Sequence, residues 1–253
     1  MSPESNLSKW TSLTFEPTNQ PTQIGKSTMA KSALAVKPTN VPAYMNAESP
    51  RGNENVGAQL VIPQLKQLQK MSHEVDKYNA KFIEGAVPGN FLNVLTGQLY
   101  SDDLHVLNIN FSPYWQVKTK YGVNPSKWLG KFRSFERANT LLEEQDDKDR
   151  ADLEITEGHT HLMVVLNPET GEVETPQPVV FDFAGSKMNV SKKWNSQIAA
   201  NSGDRFSSVW KLSTIVQEGR MGQYLNLKID NLGWANELAY HAAEKMYEQY
   251  SQY

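Results

Sequence analysis

Cysteine is absent from this 253-residue chain, which removes disulfides and thiolate metal sites and accords with a reducing compartment. No apolar run approaches the roughly 18–20 residues of a membrane-spanning helix, and the first residues lack the apolar core of a signal peptide. The expectation is a soluble protein of the cytoplasm without a membrane partner. Nucleophile elbow, P-loop and dinucleotide fingerprint are missing too, which moves the reading from enzyme to binding protein and gives no reason to expect a cofactor.

Excess charge of one sign is lacking only on average. The chain carries 25 Lys/Arg against 28 Asp/Glu. Yet Pro113 to Arg137, PYWQVKTKYGVNPSKWLGKFRSFER, holds six aromatics and six Lys/Arg against the single acid Glu136. Lys187 to Lys211 adds five basic residues against Asp204. Aromatic faces interleaved with cations suit a single-stranded nucleic acid, whose bases stack while its phosphates demand positive charge. An acidic body with a basic strip would confine such a ligand to one path, provided the two stretches meet.

Three regions organise the chain. Residues 1–58 are rich in Ser, Thr, Asn and Pro without sustained periodicity and read as a polar arm, flexible or bridging subunits. Residues 59–232 read as a β core, and 233–253 as an amphipathic C-terminal helix. Within the core, Ser72 is placed to cap a short helix through Lys81 carrying Val75 and Tyr78. A hairpin is expected at Phe91–Tyr100 around Thr96-Gly97. In the LHVLNINF strand, Leu107, Ile109 and Phe111 should share one face. His161 to Leu166 runs into the turn Asn167 to Gly171, Val179, Phe181 and Phe183 alternate, and EGRMG joins two further strands. A helix capped by Ser186 should carry Val190, Trp194 and Ile198 and stop at Gly203. In the last helix, Leu238, Ala242, Met246 and Tyr250 form a stripe that must dock on something apolar, the barrel itself before any partner. Short strands joined by turns, with few helices, favour a small barrel or sandwich, mainly β with flanking helices.

Two polar features carry competing readings. Eight carboxylates in LLEEQDDKDRADLEITE suggest an acidic, solvated loop at 143–157, able to compete with nucleic acid for a neighbouring basic groove. His159 and His161, spaced i and i+2, lie on one side of an extended chain as metal hydrolases require, but lack a third ligand and read as a strand-entry pair. No metal is expected.

Parity sorts the basic stretches into candidate contacts. If 114–121 is a strand, Tyr114, Gln116, Lys118 and Lys120 share the wet face, with Tyr114 as the stacker, while Trp115 points inward. Tyr121 at its end remains a candidate. Trp128, Phe132, Phe135 and Leu142 fall at helical spacings and read as a core-facing stripe, leaving Lys127, Lys131 and Arg133 for phosphates. Lys187, Lys192, Lys193, Arg205 and Lys211 form the later patch, and Tyr224 with Lys228 repeats the pairing of Tyr114 with Lys118.

The segments EGAVPGNFLNVLTGQLY, PYWQVKTKYG, HLMVVL, SKMNVSKKWN, FSSVWKLST and GQYLNLKI resemble those of a group of tailed-bacteriophage single-stranded DNA-binding proteins. The resemblance spans roughly residues 60–250. It implies an OB-fold-like small barrel acting in phage replication or middle transcription in the infected host cell, with a phage RNA polymerase or replication proteins as possible partners and a homo-oligomer as a possible state. The chain departs from many such proteins by ending in the aromatic EKMYEQYSQY instead of an acidic tail, so tail-mediated recruitment does not carry over. The expected function is stoichiometric, non-sequence-specific coating of single-stranded DNA by stacking and phosphate contacts. A phage structural or assembly protein is the alternative, and a metal-dependent nuclease using His159, His161 and the acids is a third reading.

Overall fold

The computed structural model describes residues 61–219 and 222–250. The chain divides into two units, Met1–Gly57 and Ala58–Tyr253, and the arm expected over residues 1–58 lies outside the described residues. The described part is mainly β. Its strands are β1 (Gln64–Gln67), β2 (Phe91–Asn93), β3 (Leu99–Tyr100), β4 (Asp103–Thr119), β5 (Trp128–Phe132), β6 (Leu153–Leu166), β7 (Val179–Ala184), β8 (Ser208–Gly219) and β9 (Gly222–Trp234). Its helices are α1 (Phe135–Glu143), α2 (Asp147–Asp152), α3 (Met188–Ala200) and α4 (Glu237–Tyr250).

The strands form one sheet in the order β3-β2-β1-β7-β6-β4-β8-β9, with β5 also paired to β4. All pairings are antiparallel except β1 with β7. The sheet curls into a half-barrel whose two sides meet through polar side chains. Gln67 Nε2 donates to Thr214 Oγ1 at 2.8 Å and to the Asn226 carbonyl at 3.2 Å, and Thr214 Oγ1 donates to the Gly89 carbonyl at 2.7 Å.

Alternation along the strands builds two cores. The inner one gathers Leu104, Val106, Met163, Val165, Phe181, Phe183, Trp210 and Leu212, with Trp194 and Ile198 of α3 packed among them. On the other face, Leu107, Ile109, Leu162 and Val164 receive α4 through Ala239, Ala243 and Tyr250, with Met246 beside them. Small alanines let the helix approach the sheet closely, and Leu238 of the expected stripe is instead exposed. A third cluster, Val117, Ala138 and Leu153 with Trp115 and Phe132, seats α1 at the far end of β4 and β6.

Several local expectations fail for identifiable reasons. Leu107 and Ile109 pack together, but Phe111 does not join them: the β4–β6 register slips between Asn108 and Asn110, and the extra residue turns Phe111 toward His161. Over 72–81 there is only a three-residue 3₁₀ turn at His73–Val75. There the side chains of Asp76 and Asn79 accept from the Tyr78 and Lys81 amides, offering the backbone an alternative to a helix. The 128–142 stripe splits into strand β5 and helix α1, whose N-cap Ser134 accepts from the Arg137 amide. Helix α3 follows a 3₁₀ turn over Gly185–Lys187 and starts without a Ser186 cap. The acidic segment is no loop: α2 forms within it, with Asp146 accepting from the Asp149 amide, and β6 begins at Leu153. The hairpin at Thr96-Gly97, the Asn167–Gly171 turn, the β7 alternation and the β8–β9 hairpin take their expected places.

Candidate nucleic-acid interface

Helix α4 covers only part of the sheet's outer face. Beyond it, outer side chains of β4, β6 and β7 such as Gln116, Lys118, Thr160 and Asp182 are half-buried, and Trp128 of β5 is 63 % exposed there. Trp128 pairs with Lys118 of β4, so the two share this face, and Lys131 pairs with Gln116 beside them. Helical spacing assigned Trp128 to the core. It is instead exposed, because Gly130, at φ +147°, lets Trp128–Phe132 run extended along β4; Phe135, given to the same stripe, is also exposed, at the start of α1.

Tyr114 moves the other way. It lies on the predicted face but is only 5 % exposed. Opposite it in β6 stands Gly158, and a Cβ built there would lie 2.6 Å from Tyr114 Cε1, so the ring lies in the space that a side chain would fill. Lys131 Nζ closes the other side of the ring, 4.0 Å from its centroid. Burial and the Asp182 carboxylate both push the phenol pKa up. Tyr114 is therefore packed away from any base.

The amine above it is fully engaged. Lys131 Nζ donates to Asp182 Oδ1 and Oδ2 at 2.8 and 2.9 Å and to Thr160 Oγ1 at 2.8 Å, and Thr160 Oγ1 donates to Asp182 Oδ1 at 2.6 Å. An ammonium has three donors, so this side chain ties β5 to β6 and β7 and has none left for phosphate in this arrangement.

Other predicted contacts also have partners within the protein. Lys118 faces Glu154 at 3.8 Å and Lys127 faces Asp149 at 2.9 Å, while Lys120 Nζ donates to the Ala151 carbonyl at 2.6 Å. Three hairpin lysines thus meet one acidic segment, 149–154. Contact with Asp149 raises the Lys127 pKa. Tyr121 is exposed at the hairpin's tip, and exposed Arg133 lines a groove with Tyr114 and Lys131.

The later patch does not join this face through β8. Lys211 pairs with His105 near the start of β4, whereas Lys118 lies near its end, roughly 40 Å away along extended chain. Lys211 is bound to Asp103 at 2.6 Å and Lys228 to Asp230 at 2.8 Å. Half-buried Tyr224 packs its ring against Gly219. Burial lowers the Lys187 pKa. Lys192 and Lys193 project from α3 into solvent and make no ion pair among the described residues.

Arg205 is structural, and it heads a buried network that sequence reading missed. Its Nε donates to Asn108 Oδ1 at 2.7 Å, and a terminal nitrogen donates to Asn195 Oδ1. Because the guanidinium can only donate, Asn108 must turn its NH₂ to His161 Nδ1, 2.8 Å away. His161 then carries its proton on Nε2 and donates to Ser191 Oγ at 2.7 Å. Ser191 donates in turn to His159 Nδ1 at 2.7 Å, and His159 Nε2 faces Glu157 at 3.5 Å. The chain has one sense from guanidinium to carboxylate. Desolvation holds the His161 pKa well below its ordinary value, and that of His159 is lowered for the same leading reason. His161 also stacks on Trp194 at 4.6 Å. The His159/His161 pair is thus spent on internal hydrogen bonds, and no metal-holding group of three or more His, Cys, Asp or Glu occurs among the described residues. Burial brings the Arg205 pKa down to about 10. The sequence signal was present in the i, i+2 histidines, but their partners come from β4, α3 and the segment before β8.

A second groove, of about 530 Å³, lies beside Lys131. Its walls are Val61, Ile62, Pro63, Val94, Leu95, Val180 and Trp128, and its polar groups are Gln64, Lys131 and Asp182. Val61, Val94, Leu95 and Trp128 are all more than half exposed, so apolar surface converges on one place. No helix among the described residues is long and apolar enough to cross a membrane. No curated protein and no solved structure matches the chain. The model of one family, described as Pam3 phage gp34-like protein, matches residues 30–253, and the chain belongs to that family.

Proposed function

We propose that this phage-family protein binds single-stranded nucleic acid, DNA in the first instance, on the open outer face of β5, β4, β6 and β7. The observation that carries the reading is exposed Trp128 beside Lys118 on a sheet face that α4 leaves uncovered. Stacking on one such ring is worth about 1–3 kcal/mol per base. Connectivity supports the reading: β4, β6, β7, α3, β8 and β9 follow in chain order, with β4 between β6 and β8, β7 beyond β6 and β9 beyond β8. That is the order of an OB-like barrel with its helix between the third and fourth strands. In such barrels the face of strands two and three and the loop between strands one and two form the usual oligonucleotide site. Here these are β6, β7 and the segment containing β5.

Carboxylates on the same lysines temper the electrostatics without cancelling them. Exposed ion pairs contribute about 0–1 kcal/mol, so a phosphate can displace Asp149 or Glu154 at small cost. Binding involves no bond cleavage, and replication or transcription in the infected cell is the proposed setting. The test is a titration of mixed-sequence single strands and duplexes at two salt concentrations with the parent and Trp128→Ala. Tighter binding to single strands, a steep salt dependence and a roughly tenfold loss in the variant are expected. Equal affinity for duplex, or an unaffected variant, refutes the reading. The apolar walls around Trp128 favour one alternative, a subunit contact in a phage assembly, which predicts concentration-dependent oligomers indifferent to DNA.

A further inference from the structure

We infer that the groove beside Trp128 is a slot for one unpaired base and that Asp182 makes it select bases carrying an exocyclic amino group. The inference rests on the proposed single-strand binding and adds selectivity that stacking alone does not supply. Apolar walls that include the Trp128 ring, Val61 and Leu95 suit the faces of a heterocycle, and about 530 Å³ suits a nucleotide-sized ligand. The polar groups are unequal in what they offer. Lys131 spends its three donors on Asp182 and Thr160, so it presents no free N–H to the base. Asp182 accepts only, and its longest bond is the weakest of the set: Gln64 Nε2 donates to Oδ2 at 3.4 Å.

An incoming amino group can replace that long contact with a short, charge-assisted one, freeing the Gln64 amide to pair with the neighbouring ring atom. Cytosine, adenine and guanine carry such an amine. Uracil and thymine present a carbonyl oxygen at the position of cytosine's amine, where it would face the carboxylate with no hydrogen between them. Desolvating an acceptor against an acceptor disfavours those bases.

Cytosine and uracil isolate the effect, because on this edge they exchange an amine and a ring acceptor for a carbonyl and a ring N–H. Fluorescence anisotropy with end-labelled oligo-dC and oligo-dU of equal length, at pH 8 and fixed salt, should show the parent binding dC roughly tenfold more tightly, the worth of one charged hydrogen bond. In Asp182→Asn, whose amide can donate, the preference should collapse or invert. Gln64→Leu, which leaves the Lys131–Asp182 pair in place, should reduce it. Equal affinity of the parent for dC and dU overturns the slot while leaving single-strand binding intact, as does an undiminished preference in Asp182→Asn. Failure to bind either oligomer, or mixed-sequence single strands, overturns both readings.

Discussion

Replacing Gly158 by Ala tests the packing that holds the candidate interface together. Gly158 lies in an extended strand without a left-handed φ, so backbone arguments alone predict that alanine is neutral or stabilising by up to about 1 kcal/mol, since it restricts the unfolded chain. The side-chain argument has the opposite sign. The new methyl would enter the Tyr114 ring, 2.6 Å from Cε1 and closer still to atoms at the ring's end. The ring has little room to yield, because it is 5 % exposed and Lys131 lies across it at 4.0 Å. Overpacking of this kind costs about 1–3 kcal/mol, and losing the cation–π contact adds about 0.5–1. Gly158→Ala should therefore destabilise by roughly 1.5–4 kcal/mol, less up to about 1 regained from the restricted unfolded chain, read as a lower urea midpoint with unchanged slope. Shrinking the ring should relieve the clash, so Tyr114→Leu combined with Gly158→Ala should cost less than the sum of the two single changes. A variant within about 0.5 kcal/mol of the parent would refute the account of why Tyr114 is buried.

Two further expectations concern charge. The folded pKa of His161 is depressed below its unfolded value near 6.5, so its contribution to stability is complete above that pH and is lost as pH falls through it toward the folded pKa. Chemical denaturation between pH 7.5 and 5 should show stability falling with a limiting slope of about 1.4 kcal/mol per pH unit from this group, and His161→Gln should flatten the profile. Neutralising the acids on the hairpin lysines, with Asp149→Asn and Glu154→Gln together, should raise affinity for single strands about two- to tenfold at low salt, exposed ion pairs being weak competitors for phosphate; unchanged affinity would remove Lys118 and Lys127 from the interface.

The sequence shows much of the fold wherever local pattern decides. Val179, Phe181 and Phe183 alternate into the core as their spacing requires, and Trp194 and Ile198 face inward from α3. The site was harder to read, because exposure there depends on residues distant in the chain. Tyr114 is buried by a glycine in the next strand, not by its own parity. Trp128, Phe132 and Phe135 match a single helical stripe only by coincidence of spacing: Gly130 and pairing with β4 turn Trp128 outward while Phe132 packs inward as its place in the stripe requires, and Phe135, in α1, is exposed. The lysines were visible as charges, but their acidic partners come from β6, β7, α2 and distant strand positions. One extra residue at Ile109 suffices to send Phe111 to the opposite face, a change that no count of alternation predicts.

The direction of the hydrogen-bond chain from Arg205 to Glu157 has an evolutionary corollary. Each member passes on one proton with a fixed orientation, so the positions form a grammar in which a word cannot be replaced singly. Exchanging Asn108 for Asp would leave His161 Nδ1 facing an acceptor and force the imidazole to its other tautomer, which would in turn reverse the hydroxyl of Ser191 and present His159 with the wrong polarity. Positions 108, 159, 161, 191 and 205 should therefore vary together across the family, drifting as a block or not at all, whereas Lys118 and Lys127, held only by exposed carboxylates, can change one at a time.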